Sequence, residues 1–221
     1  MKKQQTQNKE IQAIRVMSYF IESTAKIIEE EGIDKVTIRK IADLAGYNSA
    51  TLYNYFEDLS HLIFFASMRF VKKYTDDLPH YISKAKNPLE RYFLIWECFC
   101  DHSFASPQIY YAVFSSDLGV HPKKLSKYYE FYPTDLLEVP EDLRNMMLET
   151  NLSRRTRIAL EQCIKEGYIK ESNADQIAEA HYLIWQGILT MFINHRSMNT
   201  VQEATEKTMK HIRHTIVLED S

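Results

Sequence analysis

The chain is poor in the residues that bend or cross-link a backbone, with 5 glycines, 6 prolines and 3 cysteines in 221 residues. So few turn formers, and so few short alternating β-branched runs bounded by turns, speak against a many-stranded sheet and for an all-α fold. Cys98, Cys100 and Cys163 are an odd number in a chain with no export signal, which favours free thiols over a disulfide framework. Cys98 and Cys100 also stand two apart, a spacing that turns them to different faces of a helix and away from a shared metal. No apolar run approaches the roughly 18 to 20 residues a bilayer span needs, and the basic start, MKKQQTQNKE, leads into no apolar signal core. A cytoplasmic protein without a membrane partner is expected. The sequence also lacks a glycine-rich phosphate loop, a His-Glu-x-x-His helix, a Gly-x-Ser-x-Gly elbow and a paired-cysteine zinc pattern. No enzyme, cofactor or metal site is therefore expected. His102 beside Asp101, with Glu97 a turn earlier, is the nearest thing to an acid–base pair, and eight scattered histidines supply such pairs by chance. Positive charge is missing too: the formal net charge is −3, and the first 62 residues carry eight basic against nine acidic side chains. Any nucleic-acid footprint must come from arrangement rather than totals.

What is present is helical punctuation, which marks out about nine helices. A long one over about 8–31 has Ile14, Met17, Ile21, Ala25 and Ile28 at three-to-four-residue spacing and stops at Gly32. Short helices follow at about 37–45 and 49–55, separated by Gly46-Tyr47-Asn48, and a fourth runs from Asp58 to about Leu78, before Pro79. Asn87-Pro88-Leu89-Glu90 joins an N-cap acceptor, proline at the first helical position and a carboxylate three residues after the cap. Ser106-Pro107 repeats the signal for a shorter helix. Residues 115–140 are interrupted by Gly119, Pro122, Pro133 and Pro140, and helical periodicity resumes over about 141–166, ending on Gly167.

Residues 32–62, GIDKVTIRKIADLAGYNSATLYNYFEDLSHL, form a helix–turn–helix pattern. Thr37 is a hydroxyl N-cap for a helix whose Ile38, Ile41, Ala42 and Leu44 face inward, and Ala45-Gly46 makes the turn into a second helix capped by Asn48 or Ser49. That helix has a thin polar edge of Tyr47, Asn48, Ser49, Thr51, Tyr53 and Asn54. Short side chains at its start, Ser49, Ala50 and Thr51 among them, let a backbone sit deep in the major groove, where amides and hydroxyls meet base edges and methyls meet thymine. With the preceding helix, the first 62 residues resemble the DNA-binding domain of the tetracycline-repressor (TetR) family. The resemblance implies a transcriptional regulator that binds double-stranded operator DNA as a homodimer. In that frame Thr37 and Tyr53 are phosphate anchors, Arg39 and Lys40 supply charge near the backbone, and Lys2, Lys3 and Lys9 form a basic arm. One departure stands out: Leu59 occupies a position where the family usually carries lysine, so non-specific affinity should be weaker.

The remainder, 63–221, is expected to be a helical ligand-sensing and dimerisation domain, the head being 1–62. Twelve of the 27 aromatics fall between Tyr92 and Tyr132. A pocket for a small apolar or aromatic effector is expected among Trp96, Phe99, Cys100, Phe104, Tyr110, Tyr111, Phe114, His181 and Trp185, with His102 and Gln186 as further polar candidates. Plain core would show the same spacing. Over 173–195 the apolar residues form two adjacent stripes, which calls for cover from two directions. A four-helix dimer interface is expected through Ile177, Ile184, Ile188 and Met191, with Thr208 and Ile212 of the last helix. The resemblance further implies repression relieved by the effector; an interaction adaptor that keeps the dimer and has lost DNA binding is the second reading the sequence leaves open.

Overall fold

The computed structural model describes residues 2–116, 125–137 and 139–217, and among these every regular element is a helix. Gly119 and Pro122, two of the expected interruptions, lie outside the described residues, as do the side chains of Lys2, Lys3 and Lys9. The head comprises α1 (Lys2–Glu31), a 3-10 turn (Ile33–Lys35), α2 (Ile38–Ala45) and α3 (Ser49–Leu52). Helix α4 (Leu59–Ile82) leaves the head and enters the larger domain, where α5 (Pro88–Ala105), α6 (Pro107–Phe114) and α7 (Leu125–Phe131) follow. Short helices α8 (Arg144–Met147), α9 (Leu152–Ala159) and α10 (Glu161–Lys165) precede the long α11 (Ala174–Ile193) and α12 (Val201–Val217).

The helix boundaries have local causes. Gly32, at φ 91°, ends α1, while Asp58 opens α4 by accepting from the His61 amide at 2.8 Å. Asn87 accepts from the Glu90 amide at 2.8 Å to open α5. A reciprocal box opens α12: Thr200 Oγ1 accepts from the Glu203 amide, and the Glu203 carboxylate accepts from the Thr200 amide. Two expectations change. Helix α4 runs through Pro79 to Ile82, because a proline this near a helix end forfeits one backbone bond while the Ser83 amide still reaches the Pro79 carbonyl at 3.1 Å. The single helix expected over 141–166 is broken into a 3-10 turn and α8 to α10, since Asn151 turns its side chain onto the Arg154 amide at 2.9 Å and starts a new helix there.

One apolar core runs from the head into the larger domain. In the head, Phe20, Ile41, Leu52 and Phe56 are fully enclosed, and Phe56 meets Phe65 of α4 edge-on with ring centres 6.0 Å apart. Burying side chains of this size contributes roughly 1.5–3 kcal/mol each. Further along, α4 packs on α5 and α6, α12 on α5, and α11 on α9 and α12. Arg69 fastens the two regions: its Nε lies 3.1 Å from Glu22 of α1, its Nη1 lies 3.0 Å from buried Asp135, and its guanidinium stacks 4.4 Å from the Tyr132 ring centre. Head and larger domain are thus pinned across α4.

Candidate nucleic-acid interface and ligand cavity

The turn between α2 and α3 depends on Gly46, whose φ of 74° closes α2 and lets the Tyr47 amide return to the Ala42 carbonyl at 3.0 Å. Thr37 uses its hydroxyl to accept from the Lys40 amide at 3.3 Å, so it is the α2 cap. Asn48 caps α3 through Oδ1, which accepts from the Ala50 amide at 2.9 Å, and its amide nitrogen is left for other partners. With Leu52 and Phe56 buried, α3 turns Asn48, Ala50, Tyr53 and Asn54 to the outside, with Ser49 and Thr51 half-buried beside them. Tyr47 is drawn the other way, its ring 5.3 Å from Phe20, so it serves the packing of α3 on α1. Helix α3 is only one turn; the chain continues past it as a turn, not as helix to Tyr55.

Charge on this face is thinner than the sequence suggested. The Lys40 ammonium pairs with Glu31 at 2.5 Å, whereas the Arg39 side chain is 92% exposed and only loosely approached by Asp43 at 3.9 Å. Leu59, the first residue of α4, is half-buried against the core, and the Asp58 carboxylate occupies the positive end of that helix.

In the larger domain a narrow cavity of about 20 Å³, room for a single water, lies between α4, α5, α8 and α9, lined by Tyr74, Ile95, Trp96, Phe99, Met146, Leu152, Arg155, Thr156 and Ala159. Of the nine expected pocket residues, Trp96 and Phe99 line it. Phe114 lies just behind, 5.3 Å from Phe99 and 5.4 Å from the Arg155 guanidinium, and Tyr110 packs 5.5 Å from Phe99. The others are placed elsewhere. Trp185 donates to Ser103 Oγ at 2.9 Å, Phe104 stacks on Phe192 at 5.4 Å, and Cys100 is buried, with its thiol pushed well up by desolvation. Tyr111 is exposed in a separate groove of about 380 Å³ between head and larger domain, with Ile33, Ile63 and Ile193. His102 bonds Asp77 at 3.0 Å and Asp101 accepts from the Tyr81 hydroxyl at 2.7 Å, so these two do not assemble as an acid–base pair. Gln186 accepts from Ser115 Oγ at 2.7 Å.

His181 sits in a buried relay. Trp96 Nε1 donates to the Tyr92 hydroxyl at 3.0 Å, which lies 2.5 Å from His181 Nδ1. On the far side Nε2 lies 2.7 Å from Thr215 Oγ1, and Thr215 donates to the Ile212 carbonyl at 2.8 Å. All these groups are satisfied if Nδ1 accepts and Nε2 donates, which is neutral imidazole. Burial accordingly pushes His181 down to about 4.

The expected dimer residues divide. Ile177, Thr208 and Ile212 point into the protomer's own core, which takes them off any outward face. Ile184 and Ile188 are half-buried, and Met191 is 40% exposed; together with Leu183, 58% exposed, and Gly187 they form a continuous apolar stripe on the outside of α11. Leu183, which the sequence did not single out, extends that stripe. Among the described residues, no three metal-ligating side chains converge and no helix is long and apolar enough to cross a membrane.

Residues 20–63 match the family described as bacterial regulatory proteins, tetR family. No curated protein matches the sequence. Similar solved structures include FadR of Thermus thermophilus, a TetR-family transcriptional repressor in complex with lauroyl-CoA, at 11% identity and TM-score 0.60 over 89% of this chain and 92% of that one. A Syntrophomonas wolfei protein assigned to the TetR-family transcriptional regulators gives 19% identity and TM-score 0.57 over 92% and 95%. The fatty acid degradation regulator FadR of Bacillus halodurans gives 13% and 0.53 over 89% and 93%. The family match is confined to residues 20–63, the segment that carries the helix–turn–helix, and the chain as a whole shares the all-helical fold of these solved structures.

Proposed function

We propose that the chain is a homodimeric, cytoplasmic repressor that binds a palindromic operator through α3 and is released when a small apolar or aromatic effector enters the cavity beside Trp96. The observation that carries this reading is the outward edge of α3, polar and made of small or hydrogen-bonding side chains, held on a buried Leu52 and Phe56. Residues 1–62 act as the reading head and 63–221 as the sensor, with α4 crossing between them. Dimerisation uses the outer stripe of α11. Support for an apolar effector comes from the aromatic cavity and from the similar fold of a repressor that holds lauroyl-CoA.

The coupling follows from the tightness of the cavity. A molecule larger than one water must part α8 and α9 from α4 and α5 to enter. Tyr74 stands in the wall on α4, 15 residues and so roughly 22 Å along the helix from Leu59, where α4 meets the head. Movement of α4 at Tyr74 therefore reaches the head and alters the spacing of two recognition helices that must match half-sites about one helical turn apart.

The adaptor reading draws on the Lys40–Glu31 pair, on Leu59 and on Asp58, all of which reduce attraction to phosphate. Selection of the purified protein against a random duplex pool at two salt concentrations separates the two readings. A palindromic consensus whose affinity falls with salt supports the repressor; no enrichment at low salt supports the adaptor. Within a recovered operator, Tyr53→Phe should weaken binding to all sequences alike, and Thr51→Ala should relax preference at one base pair, roughly 1–3 kcal/mol of discrimination. An unchanged operator profile for Thr51→Ala would remove it from the reading edge.

A further inference from the structure

Arg155 of α9 is only 4% exposed and stands in the cavity wall, yet among the described residues no carboxylate reaches it. The other enclosed arginines are paired: Arg69 with Glu22 and Asp135, Arg91 with Asp142, Arg157 with Asp175 and Glu171. Arg155 instead has hydrogen bonds from Nη2 alone, to the Tyr74 hydroxyl at 3.4 Å and the Met147 thioether at 2.8 Å. Rings hold it in place, Tyr74 at 5.6 Å and Phe114 at 5.4 Å from the guanidinium carbon. A guanidinium carries five N–H donors in a rigid fork and does not give up its proton, so burying one without an anion is strongly unfavourable. Two hydroxyls nearby are also unfinished. Tyr74 accepts from Arg155, and its own proton has no acceptor among the described residues. The Tyr110 hydroxyl is buried with no hydrogen-bond partner among the described residues, close enough to feel the charge of Arg155.

We propose that the cavity takes an organic carboxylate, its head on Arg155 and the Tyr74 hydroxyl and its apolar acyl or aryl body against Ile95, Trp96 and Phe99. The inference rests on the effector reading above and specifies its chemistry. A carboxylate matches the guanidinium fork with two parallel bonds and neutralises a single cation. A phosphate ester, with close to two charges at neutral pH, would be left half-neutralised in an apolar wall.

The test uses the full-length protein, first without DNA, following tryptophan fluorescence and thermal unfolding with dodecanoate, octanoate and 4-phenylbutyrate, each against the alcohol of the same skeleton, and then on a recovered operator, following its release. At least one acid should bind, ten-fold or more tightly than its alcohol. Arg155→Met should abolish that preference and leave the unliganded melting temperature unchanged or higher, because it removes a buried lone charge. Arg155→Lys, which keeps charge without the fork, should retain part of the preference and guards against misfolding of the first variant. Equal binding of acid and alcohol, no binding of any acid, or a preference that survives in Arg155→Met overturns the proposal. Alcohols that bind and release operator while acids do not would sink the carboxylate and spare the effector reading. Acids that bind through Arg155 without releasing operator would do the reverse.

Discussion

Lowering the pH from 7 to 5 should remove about 2 kcal/mol of stability through one side chain, His181. Its imidazole is fully enclosed between Tyr92 on α5 and Thr215 on α12, both uncharged, and burial pushes it down to about 4. In the unfolded chain the same group titrates near its ordinary 6.5. Between these values the unfolded state binds more protons than the folded one, so stability present above pH 6.5 is lost as the pH falls towards 4. The full shift corresponds to about 3 kcal/mol, of which about 2 kcal/mol is gone at pH 5. Protonation also takes the lone pair from Nδ1 and leaves the Tyr92 proton without its acceptor. Urea unfolding at pH 7 and pH 5, at fixed protomer concentration, measures the loss in wild type and in His181→Gln, whose amide accepts and donates but does not titrate. Carboxylate titrations are common to both proteins and cancel in the difference. If the variant loses as much as wild type between the two pH values, the buried neutral imidazole is not the source and the argument fails.

Gly46→Ala tests the turn between α2 and α3. An added Cβ would meet nothing within 4 Å, so the penalty is the left-handed φ alone, about 1–2 kcal/mol in thermal unfolding, and Gly46→Asn should recover part of it. Loss of several kcal/mol would point to a contact that the open space around Gly46 does not contain. Leu59→Lys should steepen the salt dependence of DNA binding by roughly 0.9 in the log–log slope for each protomer that gains a phosphate contact. A slope identical to wild type would place the start of α4 away from the DNA backbone.

The head was legible because its signals are local. Gly32 and Gly46 announce left-handed stops, Thr37 and Asp58 cap the helix that follows, and the apolar spacing places Ile41, Ala42 and Leu52 inside, whereas Leu44, expected inward, is exposed near the end of α2. Asn151 is hidden as a cap because Leu148 and Leu152, four apart, carry the apolar spacing of a helix across the break between α8 and α9. Two stripes on one helix do not say which faces the protomer's own core, and Ile177, expected on the outer face, belongs to the inner one. Arg155 was invisible as a site residue because a charged side chain is by default read as solvated. Its burial arises only where α4, α6, α8 and α9 meet, contacts among residues up to 81 positions apart.

The near-absence of free space beside Trp96 sets a difference between how firmly a molecule is held and how strongly it acts. On the proposed mechanism, part of an occupant's intrinsic affinity is absorbed in separating α8 and α9 from α4 and α5, and that part is what reaches the head. A slender ligand that slips in without parting the helices shows its whole affinity as binding and moves α3 little. A bulkier one reads as a weaker binder and a stronger inducer, so ranking compounds by dissociation constant alone would pass over the most effective ones.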